Sequence, residues 1–199
     1  MSRVITRQKI ISDSGALFEQ KGYLNVTIPE IEKATGKTKA VLYGYFENRQ
    51  SLANAVLEHN LTQKRAQILR QAALQPDQIR KLGVHIDLHD PEKKSLIVVG
   101  NSLPNAVETI HAYEEMKRIA ADALIIWHQD IVELINGGIK TGEFTIKSEP
   151  EELAWLLISL VEGALLISQT TQNAKLGWQL LNQAKREFLQ HLTLSNQAI

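Results

Sequence analysis

Apolar residues recur at three- and four-residue intervals along most of this chain, and the alternation that marks a strand is scarce. The pattern predicts an all-α protein of about nine helices. The first runs from about Val4 to Lys21, with Ile10, Ile11, Ser14, Leu17 and Phe18 on one side and Gly22 as its C-terminal stop. Thr27-Ile28-Pro29-Glu30 then fits a capping box, with Pro29 in the first turn, where its missing N–H is harmless. A short helix follows to about Thr35, Gly36 makes a turn, and Thr38 is placed to cap a second short helix carrying Val41, Leu42 and Tyr45. Asn48 caps a long helix from about Arg49 to Leu74. Pro76, Pro91 and Pro104 divide the middle into helices at about 77–88, 93–103 and 106–136, with Gly137-Gly138 near the end of the last and a loop from Thr141 to Ser148. Two strongly amphipathic helices, about 150–172 and 174–193, close the chain.

Composition narrows the class. The 199 residues are 44% apolar, enough for a sizeable core, and the 22 basic and 22 acidic side chains balance. The balance is uneven along the chain. Residues 1–50 hold eight basic and five acidic side chains, leaving 14 and 17 for the rest, so the N-terminal part has the sign expected for meeting phosphate. The absence of cysteine excludes disulfides and thiol redox sensing. No uninterrupted apolar run of about 18 residues predicts a transmembrane helix, and no apolar h-region follows the basic start, so a cytoplasmic protein is expected.

Two helices of about eight residues joined by a glycine turn make a helix-turn-helix, whose second helix fits a major groove about 12 Å wide. Ile28, Ile31 and Ala34 from one helix, and Val41 and Leu42 from the other, are the expected buried side. That pattern alone also occurs in enzymes. The detail is more specific: Ala16-Leu17-Phe18-Glu19-Gln20-Lys21-Gly22-Tyr23, Thr27-Ile28-Pro29-Glu30-Ile31, Ala34-Thr35-Gly36, Leu42-Tyr43-Gly44-Tyr45-Phe46 and Leu52 resemble, in order and spacing, the signature of the TetR family (TetR/AcrR-type) of transcriptional regulators. The resemblance implies a DNA-binding domain over 1–48, continuing into a linking helix 49–74, and a ligand-binding and dimerisation domain over 75–199. It implies that Thr27, Lys37, Thr38, Lys39, Ala40, Tyr43, Gly44, Tyr45 and Arg49 face DNA. Arg49 stands where relatives usually place a lysine; Glu32, Lys37 and Ala40 also depart from the usual pattern, which leaves the operator sequence open.

The resemblance further implies a homodimer held by the last two helices. Leu156, Leu160, Gly163, Ala164, Ile167, Leu181 and Phe188 are the expected interface, because helix 150–172 is apolar on more than one side. The middle helices would sense a small molecule, with Asn101, Asn105, His111, Tyr113, Trp127, His128 and Trp155 as candidate pocket residues on mixed polar and apolar faces. His85 and His89, four apart, have a spacing that can hold a metal, but they read more simply as two surface histidines. No metal, cofactor or catalytic residue is expected. The sequence supports a regulator, most simply a repressor released from a palindromic double-stranded DNA operator by an effector. An activator or partner-gated regulator, or a helical ligand-binding module without DNA binding, remain the alternatives.

Overall fold

The computed structural model describes residues 3–89 and 114–194. Among these there are eight helices: α1 (Arg3–Lys21), α2 (Ile28–Thr35), α3 (Lys39–Tyr45), α4 (Arg49–Ala73), α5 (Gln78–Asp87), α6 (Glu114–Thr141), α7 (Pro150–Thr170) and α8 (Ala174–Gln190). The helix expected over 93–103 and the start of the one expected from 106 lie outside the described residues. The described chain divides into two compact units, 3–64 with 114–123, and 65–89 with 124–194.

The first unit is built on α1. Its apolar stripe, Ile10, Ile11 and Phe18, is buried, and so are Tyr23 and Val26 in the segment that follows. Leu52, Val56 and Leu57 of α4 are buried in the same unit. A polar knot sits within this core. Asn60 Nδ2 donates to the Gly15 carbonyl at 3.3 Å and to the Tyr23 hydroxyl at 3.1 Å, so the buried groups are not left unpaired. Burial, helped by nearby Glu19, pushes the Tyr23 phenol well above its ordinary range.

In the second unit, α5 starts on Asp77, whose carboxylate accepts from Arg80 N–H at 2.8 Å, and on Glu143, which accepts from Gln78 N–H at 2.8 Å. Helix α6 runs through Gly137-Gly138 to Thr141, five residues beyond the expected end. The expected loop after it holds a two-residue strand, Phe144–Thr145, antiparallel to Thr193–Leu194, so α8 also ends earlier than expected, at Gln190. Such short pairings have too few alternating positions to register in the hydrophobic pattern. Phe144 is fully buried there, with its ring folded back onto Gly138. Helix α7 begins on Pro150 and packs against α8, which starts on an Asn173 side-chain cap to Leu176 N–H at 3.0 Å. By length and composition α7 could cross a membrane, but 44% of its most apolar 18-residue window is already buried inside the protein. Lys185 of α8 holds Asp87 of α5 through both carboxylate oxygens, at 2.9 and 2.8 Å.

Candidate nucleic-acid interface

The two short helices are set by side chains at their ends. Thr27 is the N-cap of α2 and forms a capping box with Glu30, whose Oε2 accepts from the Thr27 N–H at 2.9 Å and from its hydroxyl at 2.9 Å. Glu30 is also paired with Lys21. That pairing first, and the Thr27 N–H next, hold its carboxyl at about 2, below the usual carboxylate range. Gly36 ends α2 at φ 63°, a left-handed conformation that a side chain disfavours, and its N–H bonds to the Glu32 carbonyl at 2.9 Å.

The start of α3 corrects one expectation. Thr38 has the extended backbone of an N-cap, but its side chain makes no capping bond. Instead the Glu32 carboxylate, from α2, accepts from Lys39 N–H at 2.5 Å. The acidic residue that departs from the family pattern therefore caps the second helix from the first. The two partners are seven positions apart across a turn, which no local capping rule covers.

Helix α3 turns one narrow line inward. Leu42 and Phe46, four apart, are buried, as are Ile31 and Thr35 of α2. Lys39, Ala40, Val41, Tyr43 and Gly44 are exposed, Thr38 likewise, and Lys37 and Tyr45 are half-buried. Val41 and Ala34, expected in the core, face out. A seven-residue helix has only two turns; this one buries Leu42, with Phe46 buried just past its end, and Val41 lies about 100° from Leu42 around the axis. The exposed face of α3 thus carries an apolar Val41 between polar neighbours, a position the hydrophobic pattern could not separate from core.

Two arginines of α1 flank α3. Arg3 Nη2 donates to the Gly44 carbonyl at 3.0 Å and its guanidinium lies 5.8 Å from the centre of the Tyr45 ring, while Arg7 lies 5.0 Å from that of Phe46. Lys39 Nζ lies 5.8 Å from the Tyr43 ring centre. Sequence reasoning did not single out Arg3 or Arg7; their four-residue spacing places both on one face of α1, and it was the only signal available. Arg49 begins α4, but its guanidinium turns back. Nε donates to the Val26 carbonyl at 2.5 Å and Nη2 to the Tyr23 carbonyl.

Apart from Arg3 and Arg7, this arrangement lies within residues 10–56, which match the sequence model of the bacterial regulatory proteins of the tetR family. Over that segment the chain resembles the bacterial regulatory proteins of the tetR family. Its fold is that of a DNA-binding transcriptional regulator. It is similar over 98% of its length to a TetR-family transcriptional regulator from Cytophaga hutchinsonii, with 99% of that chain covered, 25% identity and a TM-score of 0.89. A TetR transcriptional regulator from Chloroflexus aurantiacus J-10-FL shares 23% identity, with 96% and 97% of the two chains covered and a TM-score of 0.83. A regulator from Saccharomonospora viridis, solved in complex with choline, shares 21% identity, with 98% and 100% covered and a TM-score of 0.81. No curated protein matches the sequence.

Away from the helix-turn-helix, the fold brings some of the candidate pocket residues together and separates others. Asn101, Asn105, His111 and Tyr113 lie outside the described residues. His128 and Trp155 stack at 4.4 Å between ring centres, with His128 Nε2 3.0 Å from the Glu151 carbonyl oxygen. Trp127 belongs to a different cluster. Its indole N–H donates to His85 Nδ1 at 3.0 Å, and its ring stacks on His89 at 5.1 Å. His85 and His89 are buried, not surface, residues. His85 lies on the inner side of α5 and His89 in the turn just beyond its end, and both meet Trp127 of α6. Accepting the indole proton leaves the hydrogen of neutral His85 on Nε2, which is buried and has no partner among the described residues. Burial lowers the His85 pKa to about 4, against a smaller opposing pull from Asp130.

The expected interface residues also divide. Ala164, Leu181 and Phe188 are buried within the protomer, since α7 and α8 turn them towards one another's side of the bundle. Leu156, Leu160 and Gly163 are half-buried, and Ile167 and Leu166 are 44% and 54% exposed. Trp178 of α8 is also exposed.

Proposed function

We propose that the protein is a cytoplasmic repressor that binds a palindromic operator as a homodimer and releases it when a small molecule binds the C-terminal part, with residues 1–48 reading DNA and 75–199 sensing and dimerising. The observation that carries the DNA reading is the exposed face of α3. Thr38, Lys39, Ala40, Tyr43 and Gly44 stand clear of the core while Leu42 and Phe46 anchor the helix beneath them. Lys37 and Tyr45 border this face, and Thr27 marks the α2 N-terminus, where backbone N–H groups favour a phosphate. Val41 adds an apolar contact suited to a thymine methyl group. Function by binding needs no catalytic group.

The dimer reading is supported by the unpartnered apolar strip of Leu156, Leu160, Gly163, Leu166 and Ile167 on α7. A two-fold particle would present two α3 helices to half-sites about 34–36 Å apart, or a multiple of that spacing. The sensor reading is supported by the His85 Nε2–H, which has no partner among the described residues and lies beside Trp127 and His89. A buried donor left without a partner is destabilising by roughly 1–3 kcal/mol, which a ligand bearing an acceptor would relieve. The choline held by the Saccharomonospora viridis relative is a property of that protein; here it supports only the class, a small molecule bound on this fold.

The experiment is selection of duplexes from a random-sequence pool by the purified protein, followed by footprinting. An inverted repeat covered by one dimer is expected, and absence of any preferred sequence at moderate salt would overturn the reading. Transcripts of genes carrying the selected site should rise on deletion; a fall would make the protein an activator.

A further inference from the structure

Arg49 occupies a place where the family resemblance implies a phosphate contact, yet its fork points into the protein. Nε and Nη2 form one edge of the guanidinium, the edge that would grip two phosphate oxygens. Here that edge holds the carbonyls of Val26 and Tyr23. Both acceptors are anchored, since Tyr23 is fully buried and Val26 is 1% exposed. Asn25 N–H closes the turn between them on the Gly22 carbonyl at 3.4 Å. The next residue after Val26 is Thr27, the N-cap of α2.

We propose that Arg49 is a positioning residue, which ties the first turn of α4 to the 23–26 segment and thereby sets where the N-terminus of α2 meets DNA, without itself binding a phosphate. This rests on the DNA-binding reading above. A displacement of the α4 N-terminus would be carried through the two carbonyls to Thr27 within one residue. Lysine would not substitute for it, because a single ammonium at the end of a flexible stem has no rigid edge to span two carbonyls. For a phosphate contact the reverse holds, since a point charge serves nearly as well.

The probe is a duplex selected by the wild-type protein from a random pool, bound to wild type, Arg49→Lys and Arg49→Ala across a salt series, at a temperature where all three have the same far-ultraviolet circular dichroism. Both variants are expected to bind about tenfold or more weakly, with the wild-type slope of log K against log salt retained. Wild-type affinity in Arg49→Lys would overturn the proposal, and so would a slope reduced by about 0.9 per protomer in Arg49→Ala, the mark of a lost phosphate contact. A second measurement needs no DNA. Amide hydrogen exchange in residues 22–28 should quicken in Arg49→Lys, while exchange in the buried turns of α1 is unchanged; unaltered exchange in 22–28 would equally refute it. Failure of the wild type to select any duplex would sink the regulator reading, and this proposal with it, whereas the variant results bear on Arg49 alone.

Discussion

Replacing Gly138 by alanine tests how the short strand and α6 fit together. In an exposed helix interior the change would stabilise by about 1 kcal/mol, because alanine loses less backbone entropy. Here an added Cβ would lie 2.2 Å from both Cε1 and Cζ of Phe144. Ordinary carbon contacts are about 3.5–4.0 Å, so the ring would have to move by roughly 1.3 Å or more. It has little room to do so. Phe144 is fully buried, its strand is paired with Thr193–Leu194, and Glu143 N–H is bonded to the Gly138 carbonyl at 2.9 Å. Overpacking of this kind is destabilising by about 1–3 kcal/mol, occasionally more, which outweighs the helical gain. With so little room for the ring the cost is expected at the upper end of that range, a net loss of about 2 kcal/mol, or a midpoint about 4–8 °C lower for a chain of this size. Urea and thermal unfolding followed by circular dichroism, at equal protein concentration, would measure it. In a Phe144→Ala background the same Gly138→Ala change should become neutral or stabilising, since the ring it strikes is gone. A loss of equal size in both backgrounds, or a stabilisation in the wild type, would refute the reasoning.

Other predictions concern acid, assembly and DNA. Burial favours neutral His85, so its pKa of about 4 in the folded protein lies below the ordinary 6.5, the unfolded chain binds the extra proton first, and stability is lost as pH falls from about 6.5 towards 4. By pH 5 the expected loss is about 2 kcal/mol, seen by urea unfolding and largely removed in His85→Gln, which keeps an acceptor for the Trp127 indole. Ile167→Glu places a charge on the exposed apolar strip of α7, and sedimentation should change from twice the 22.3 kDa chain mass to a single chain; a wild type that is already monomeric would dispose of the dimer. Lys39→Ala should weaken DNA binding and lower the salt slope by about 0.9 per protomer while leaving the dimer intact. Glu32→Gln keeps an acceptor for Lys39 N–H but removes a negative charge beside α3, and non-specific duplex affinity should rise roughly two- to fivefold; no change would mean that Glu32 lies too far from the backbone phosphates to be felt.

The sequence by itself determined the all-α class, the glycine turn and the family resemblance, because each rests on local chemistry. Apolar spacing marks a helix face, Gly36 supplies a left-handed turn, and Thr27 and Asn48 sit where helix starts need acceptors. It also marked α7 as apolar on more than one side. What it left undecided are relations between positions distant in the chain. Val41 and Leu42 are both apolar neighbours, and only the closing of the core sends Leu42 inward and leaves Val41 out. The His85–His89 spacing reads the same on a wet face as on a dry one; the arrival of Trp127, 42 residues from His85, makes it dry. Likewise Arg49 is a cation at a helix start until the fold brings the carbonyls of Tyr23 and Val26 within reach of its fork. Periodicity fixes directions within an element, but which group fills each direction is settled by the other elements that close around it.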